Sequence, residues 1–169
     1  MNSFALCVAF NFLIIQGVVH VKDSALKTMC NNSQTLITES QHFNINPFVL
    51  TSLIYHESRW QQNATGSAGD CGLAQVLHKY VPHTTCKDLY NPKVAIHHGA
   101  RFLNTFKRYL KSKQRPHSAK HYLKCYPSGY KCSCARCNQY SSKVIKLADK
   151  IKEQYEEIVF ILSLEESRL

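Results

Sequence analysis

The sequence predicts a single, mainly α-helical domain, and three observations indicate this class. The chain has 169 residues, enough for one domain. Its 44% hydrophobic and 19% charged residues exclude a disordered chain. Asn46-Pro47 and Asn91-Pro92 each precede apolar residues at helical spacing, and proline suits the first turn of a helix, where its missing N–H loses no hydrogen bond. No stretch shows the alternation that is typical of a half-buried strand.

The N-terminal segment is apolar and uncharged. From Phe4 to Val21 the residues are almost continuously hydrophobic, and no charged side chain occurs in residues 1–21. We interpret residues 1–25 as a signal peptide, with an uncleaved membrane anchor or a first core helix as alternatives. No lysine or arginine precedes the apolar run, and no clear small-x-small cleavage site follows it. Export implies a secreted or periplasmic protein, and an uncleaved leader would attach it to a membrane.

Residues 26–160 are predicted to form the globular domain, followed by a tail over residues 161–169. Helical spacing of apolar residues, with proline at two of the starts, predicts the helices. A loop containing three glycines is expected over residues 61–72, and a cysteine-rich loop over residues 125–137. The predicted helices cover residues 33–42, 47–60 and 92–110, a short stretch from about 117, and a final amphipathic helix from about 139.

Glu57 is the first candidate for a chemical role. Leu50, Leu53 and Ile54 precede it by seven, four and three residues, so all four side chains share one helical face. That face is expected to point into the core, where partial desolvation raises the pKa of a carboxyl group and keeps it protonated, as a general acid requires. The alternative is a helix-end glutamate that is solvated or paired with a neighbouring basic side chain.

Five short motifs occur in a characteristic order and together resemble one enzyme family. They are Glu57-Ser58, Gly72-Leu73-Ala74-Gln75, Asn91-Pro92…Ile96…Gly99…Leu103, Tyr126-Pro127-Ser128-Gly129 and Tyr140…Val144. In order and spacing they resemble the soluble lytic transglycosylases (SLT), the goose-lysozyme-like enzymes that cut bacterial peptidoglycan. The resemblance covers roughly residues 43–150.

The resemblance implies a lysozyme-like α-domain that cleaves the β-1,4 bond between N-acetylmuramic acid (MurNAc) and N-acetylglucosamine (GlcNAc). It assigns Glu57 as the single general acid and base, with a 1,6-anhydro-MurNAc end as product. Ser58 and Gln75 would contact the sugar, and Tyr126 would line the site close to Glu57. Neither a cofactor nor a metal ion is expected.

Three departures from the family pattern affect the expected chemistry. Ala74 stands where the family has methionine, and Pro127 replaces the asparagine of its Tyr-Asn-x-Gly turn. Asp70 stands where a small residue is common. If Asp70 activates water, the enzyme would hydrolyse the same bond as a lysozyme; otherwise Asp70 is a turn residue. A non-catalytic peptidoglycan-binding or assembly protein is a further alternative.

Eight cysteines predict disulfides in an oxidising compartment. Removal of the leader would take Cys7 away and leave seven, of which one would be unpaired. Within the cluster C-x6-C-x-C-x2-C that begins at Cys125, zinc binding with His117 and His121 is an alternative, as are reduced thiols.

The formal charge of +10 predicts an acidic polymer as partner. Peptidoglycan glycan strands carry lactyl and stem-peptide carboxylates and satisfy this expectation. No nucleic-acid-binding motif occurs, so we expect no nucleic-acid partner. Assembly with a secretion system or a phage particle would suit a small wall-opening enzyme, and nothing in the sequence selects between them.

Overall fold

A computed structural model describes residues 1–166 and confirms a mainly helical domain. Within these residues, two strands form the sheet and seven segments are α-helical. The strands are β1 (Asp70–Cys71) and β2 (Val76–Leu77). The helices are α1 (Ser3–Ile15), α2 (Asp23–His42), α3 (Pro47–Ser58), α4 (Cys86–Leu89), α5 (Pro92–Ser112), α6 (Ala119–Tyr122) and α7 (Cys137–Glu166).

Helix α3 lies in the centre of the domain. The Asn46 side chain accepts hydrogen bonds from the Phe48 and Val49 N–H groups, and Pro47 occupies the first turn, as the sequence predicted. Nine of the helix's 12 residues are buried. Ser52 on α3 donates a hydrogen bond of 2.7 Å to the Val144 carbonyl of α7. This buried bond fixes the two helices against each other.

Helix α5 has the amphipathic pattern that the sequence predicted. Asn91 accepts a hydrogen bond from the Lys93 N–H, and Pro92 follows it at the first helical position. One face of the helix packs into the core and against α2. Its buried residues are Ala95, Ile96, Gly99, Ala100, Leu103, Phe106 and Leu110.

The N-terminal segment forms helix α1, which packs against α2 and α7. Leu6 and Phe10 are completely buried, and a disulfide joins Cys7 to Cys30 of α2. Removal of residues 1–25 would therefore leave Cys30 as the unpaired cysteine; the removal itself stays a prediction. No helix in the described part of the chain is both long and apolar enough to cross a membrane.

Three elements differ clearly from the predicted ones. Helix α2 begins at Asp23, ten residues before the predicted start, because its first turns are too polar to show a clear periodicity. The hairpin of β1 and β2 was not predicted, since strands of two residues are too short for alternation to be seen. Helix α7 continues to Glu166, into the segment assigned as a tail; residues 167–169 lie outside the described part.

Candidate active site

Glu57 occupies the second-last position of α3, at the edge of the core. Leu50, Leu53 and Ile54 on the same face are completely buried, and Glu57 itself is partly buried. Helix α3 ends directly afterwards, because Arg59 adopts a left-handed conformation with φ of 54°. Burial, and secondarily the charge of Asp70, raise the pKa of the Glu57 carboxyl to about 7, against the opposing effect of a hydrogen bond from Tyr140. At neutral pH the group is thus poised to give and to take a proton.

The Tyr140 hydroxyl donates a hydrogen bond to Oε1 of Glu57. Tyr140 lies in the first turn of α7, where its N–H donates to the Arg136 carbonyl at 2.9 Å. Burial and the neighbouring Glu57 charge keep the pKa of Tyr140 well above its ordinary value, so it stays a hydrogen-bond donor. The sequence placed Tyr140 in a family motif and on the inward face of the last helix, and these signals alone did not give it a role.

Tyr126 lies close to Glu57 but has a different hydrogen-bond partner. Its hydroxyl donates to the Ala74 carbonyl at 2.7 Å, across 52 residues of sequence. Burial, and secondly the Glu57 charge, raise the pKa of the Tyr126 phenol well above its ordinary value. A Cβ on Gly99 of α5 would lie 3.9 Å from the same hydroxyl and 2.9 Å from the Ala74 Cβ. Tyr126 therefore links the hairpin to the helices, and Gly99 leaves room for the Ala74 side chain beside it.

Gly72 and Gln75 shape the hairpin beside the site. Gly72 has a φ of +71°, and a Cβ there would collide with the Leu89 carbonyl, so only glycine fits. Gln75, also left-handed with φ of 47°, donates from its side-chain Nε2 to the Gly72 carbonyl at 2.8 Å and to the Ala64 carbonyl at 3.2 Å. The Gln75 amide nitrogen thus holds the loop closed.

Asp70 begins β1 on the side of the hairpin near Glu57. Its carboxyl packs against Gly66, where a Cβ would collide with it. The Gly66 N–H donates to the Asp70 carbonyl at 2.8 Å, which closes the turn between them. Because the Asp70 charge raises the pKa of Glu57, the two carboxyl groups interact across the site. Asp70 is thus both a turn residue and an electrostatic neighbour of Glu57.

Ser58 and Trp60 follow Glu57 but both are directed inward. Ser58 is 5% exposed, and its hydroxyl donates to the Ile54 carbonyl at 3.3 Å. Trp60, considered from the sequence as either a sugar-stacking or a core residue, is completely buried with its ring 6.3 Å from that of Phe10. Trp60 is therefore a core residue, and the sugar contact of Ser58 stays a prediction.

The expected disulfides are present, and three of the four lie beside site residues. The cluster that begins at Cys125 forms two of them, so its four cysteines are paired with one another and the zinc alternative is not adopted. In the described residues, the pairs are Cys7–Cys30, Cys71–Cys86, Cys125–Cys132 and Cys134–Cys137. Asp70 precedes the second pair, Tyr126 follows the first cysteine of the third, and Tyr140 lies one turn after the last.

The comparison with known protein families agrees with the motifs and the fold. The sequence profile described as the transglycosylase SLT domain matches residues 34–151, which is most of the chain. No individual curated protein and no solved structure is similar enough to the chain to count as a match. The match contains Glu57, Tyr126 and Tyr140, as well as the hairpin between them. The chain thus belongs to the transglycosylase SLT domain family, with a lysozyme-like helical domain and, at the family level, lytic transglycosylase-type activity on peptidoglycan.

Proposed function

We propose that this protein is a peptidoglycan lytic transglycosylase that cleaves the MurNAc-β-1,4-GlcNAc bond and leaves 1,6-anhydro-MurNAc ends. The observation that carries the proposal is Glu57: a partly buried carboxyl with a pKa of about 7, held by a tyrosine hydroxyl in a member of this family. A single group with such a pKa serves both halves of the reaction.

In the first half, protonated Glu57 acts as the general acid. Tyr140 donates its hydrogen bond to Oε1, so the carboxyl proton is available on Oε2. Transfer of that proton to the glycosidic oxygen releases the GlcNAc side as an alcohol while the bond to C1 of MurNAc breaks. Positive charge develops at C1, and the Glu57 carboxylate that forms keeps its hydrogen bond from Tyr140.

In the second half, the Glu57 carboxylate acts as the general base. It takes the proton from the O6 hydroxyl of MurNAc, and O6 forms the new bond to C1. The product has the 1,6-anhydro ring, no water is consumed, and Glu57 is protonated again for the next cycle. This ring closure replaces the second carboxylate that most glycosidases use.

Asp70 supports a second candidate, a lysozyme-type hydrolase on the same bond. Its carboxyl interacts with that of Glu57, and a carboxylate opposite the general acid can activate water. The packing of Asp70 against Gly66 and its role in the turn account for the residue without this function, which makes ring closure the stronger proposal. A non-catalytic peptidoglycan-binding or assembly role is the remaining alternative.

The proposed substrate contacts are Ser58, Gln75 and Tyr126, carried over from the family motifs. Because peptidoglycan lies outside the cytoplasmic membrane, we propose that the protein is exported, with residues 1–25 as a signal peptide or, if uncleaved, as a membrane attachment or the first core helix, an alternative supported by its buried side chains and the Cys7–Cys30 disulfide. The charge of +10 favours binding to the carboxylates of the wall polymer. Assembly with secretion machinery or a phage particle would bring the enzyme to its site of action.

The deciding experiment is mass spectrometry of fragments released from purified peptidoglycan by the oxidised protein, with a Glu57→Gln variant as the matched control. We expect MurNAc ends that are one water lighter than hydrolysed ends, and none from the variant. Fully hydrated ends would establish the hydrolase and point to Asp70. No fragments from a folded, disulfide-bonded sample would contradict both enzymatic proposals and support a binding role.

A further inference from the structure

The Cys134–Cys137 disulfide closes the turn that leads into α7, the longest helix in the described structure. Cys137 is the first residue of α7 and is 1% exposed, whereas Cys134 is exposed to solvent. The Cys137 N–H donates to the Cys134 carbonyl at 3.1 Å, so the backbone and the sulfurs close the same short turn. One sulfur is thus accessible to reagents, and the other is anchored in the core.

The first turn of α7, which follows directly, holds the hydrogen-bond donor of Glu57. Tyr140 follows Cys137 by three residues, one helical turn, and its N–H bonds to the carbonyl of Arg136, which lies between the two cysteines. The Tyr140 hydroxyl reaches Glu57 across 83 residues of sequence. A shift of the start of α7 would therefore move the donor relative to the acid, while the rest of α7 stays packed on α1 and α3.

We propose that the Cys134–Cys137 disulfide is a positioning element for Tyr140, and that its reduction by an external dithiol lowers the activity of the site. The inference rests on the proposed function of Glu57 as the general acid and base. It makes the enzyme fully active only in an oxidised state, through one disulfide whose Cys134 sulfur is accessible from solvent.

The reduction is a two-electron thiol–disulfide exchange. A thiolate of the dithiol attacks the exposed Sγ of Cys134, and Cys137 leaves as a thiolate at the first residue of α7, where the helix dipole stabilises negative charge. The second thiol of the reagent then displaces Cys134 from the mixed disulfide. The protein gains two thiols, and the dithiol is oxidised to its own disulfide.

The charged and titratable groups around Glu57 define the expected signature. Tyr140 faces it from α7, Tyr126 from the turn after α6, and Asp70 from β1. Only the Tyr140 hydrogen bond lowers the pKa of Glu57, and burial and Asp70 raise it. Loss of the Tyr140 contact should therefore raise the pKa of Glu57 and move the basic limb of the activity profile to higher pH, which general loosening of the fold would not do.

The test is a double-mutant cycle on the full chain between Tyr140→Phe and the pair Cys134→Ala/Cys137→Ala. We expect kcat to fall about 10- to 100-fold with either change, because a displaced catalytic contact has effects of this size. If the two act through one contact, adding Tyr140→Phe to the cysteine pair changes kcat by less than about twofold. The pKa of Glu57, followed by carboxyl ¹³C NMR, should shift upward in all three variants of the cycle.

Two controls make each outcome decisive. Cys7→Ala/Cys30→Ala removes a disulfide on the α1–α2 side and should leave the Glu57 titration unchanged. Brief dithiol treatment of the wild-type protein, with alkylation to confirm that only Cys134 and Cys137 react, replaces the variant if that variant does not fold. If the wild-type enzyme is active, the inference is overturned when the effects of Tyr140→Phe and of the cysteine pair on kcat are additive. It is also overturned when the cysteine pair leaves the Glu57 titration unchanged. An inactive wild-type enzyme overturns the proposed function, and the titration still tests the disulfide.

Discussion

The two walls of the site are built in different ways. Glu57 and Tyr140 come from long helices, α3 and α7, which bury apolar faces against each other and set the pKa of the acid through burial. The other wall is the hairpin of residues 70–77, whose strands have two residues each. Such a short hairpin is marginal by itself. It is held instead by the Cys71–Cys86 disulfide, the Gln75 side chain and the hydrogen bond from Tyr126.

This difference separates the reactive group from the groups that hold the loop beside it. Apolar burial on helices gives a fixed environment for a proton donor, and cross-links give a loop a defined shape without a core of its own. Changes on the helical wall should therefore act on chemistry, and changes on the loop wall should act on geometry.

The largest effect is expected from Glu57→Gln on the helical wall. The amide keeps the shape and accepts the Tyr140 hydrogen bond but cannot donate an acidic proton, so the cleavage rate should fall by about 10²- to 10⁴-fold. The measurement is the rate of fragment release from peptidoglycan. An unchanged circular dichroism spectrum shows that the variant is folded. A variant of near wild-type activity would contradict the assignment of the acid.

The loop wall is tested by comparing two disulfides of similar loop length. Cys71→Ala/Cys86→Ala and Cys7→Ala/Cys30→Ala open loops with sequence separations of 15 and 23 residues. Each should lower the free energy of unfolding by about 3 kcal/mol through the entropy of the unfolded chain.

Only the loss of the Cys71–Cys86 disulfide should also lower kcat/KM, because this disulfide holds the hairpin beside Glu57. Denaturant unfolding and activity assays on both variants provide the measurement. Equal losses of activity in the two variants would show that the Cys71–Cys86 disulfide has no specific role in positioning the hairpin.

Burial of Glu57 also predicts a pH dependence of stability. Its pKa is raised from 4.5 to about 7 in the folded state, so the folded protein favours the protonated carboxyl more than the unfolded chain does. The resulting contribution to stability is fully present below pH 4.5 and is lost as the pH rises through 7. The side chain of the Glu57→Gln variant does not titrate, so the stability of this variant does not change for this reason. Relative to this variant, the wild-type protein should lose about 2 kcal/mol between pH 4.5 and 8, after allowance for the partial exposure of the side chain.

Unfolding free energies of the two proteins across this pH range check the expectation. A difference that does not change with pH would mean that Glu57 titrates near its ordinary pKa.

The smallest effect is expected from Asp70→Asn. Loss of the Asp70 charge should lower the pKa of Glu57 and move the basic limb of the activity profile slightly to lower pH, with anhydro products still formed. Product analysis and a pH–rate profile give the result. Loss of activity, with hydrated ends in the wild-type reaction, would instead favour the hydrolase and assign Asp70 a role in chemistry.

The sequence predicted the helical wall better than the loop wall. Starts at Pro47 and Pro92 were found as predicted, because a cap and a proline act within a few residues. The position of Glu57 on a core-facing side of α3 followed from spacing alone. The hairpin was missed, since strands of two residues carry no periodicity, and the cysteine pairing was not readable because 105 arrangements of seven cysteines were possible.

The sequence by itself determined the helical class, the motif order that marks the family, and a glutamate with a partly buried carboxyl. These features depend on the spacing of residues along the sequence, which can be read without knowledge of the tertiary structure. Tertiary structure decided that Tyr140, and not Tyr126, donates to Glu57, that Ser58 bonds to its own helix, and that α1 joins α2 through a disulfide. Contacts across 83 residues depend on how helices pack, and no local pattern specifies that distance.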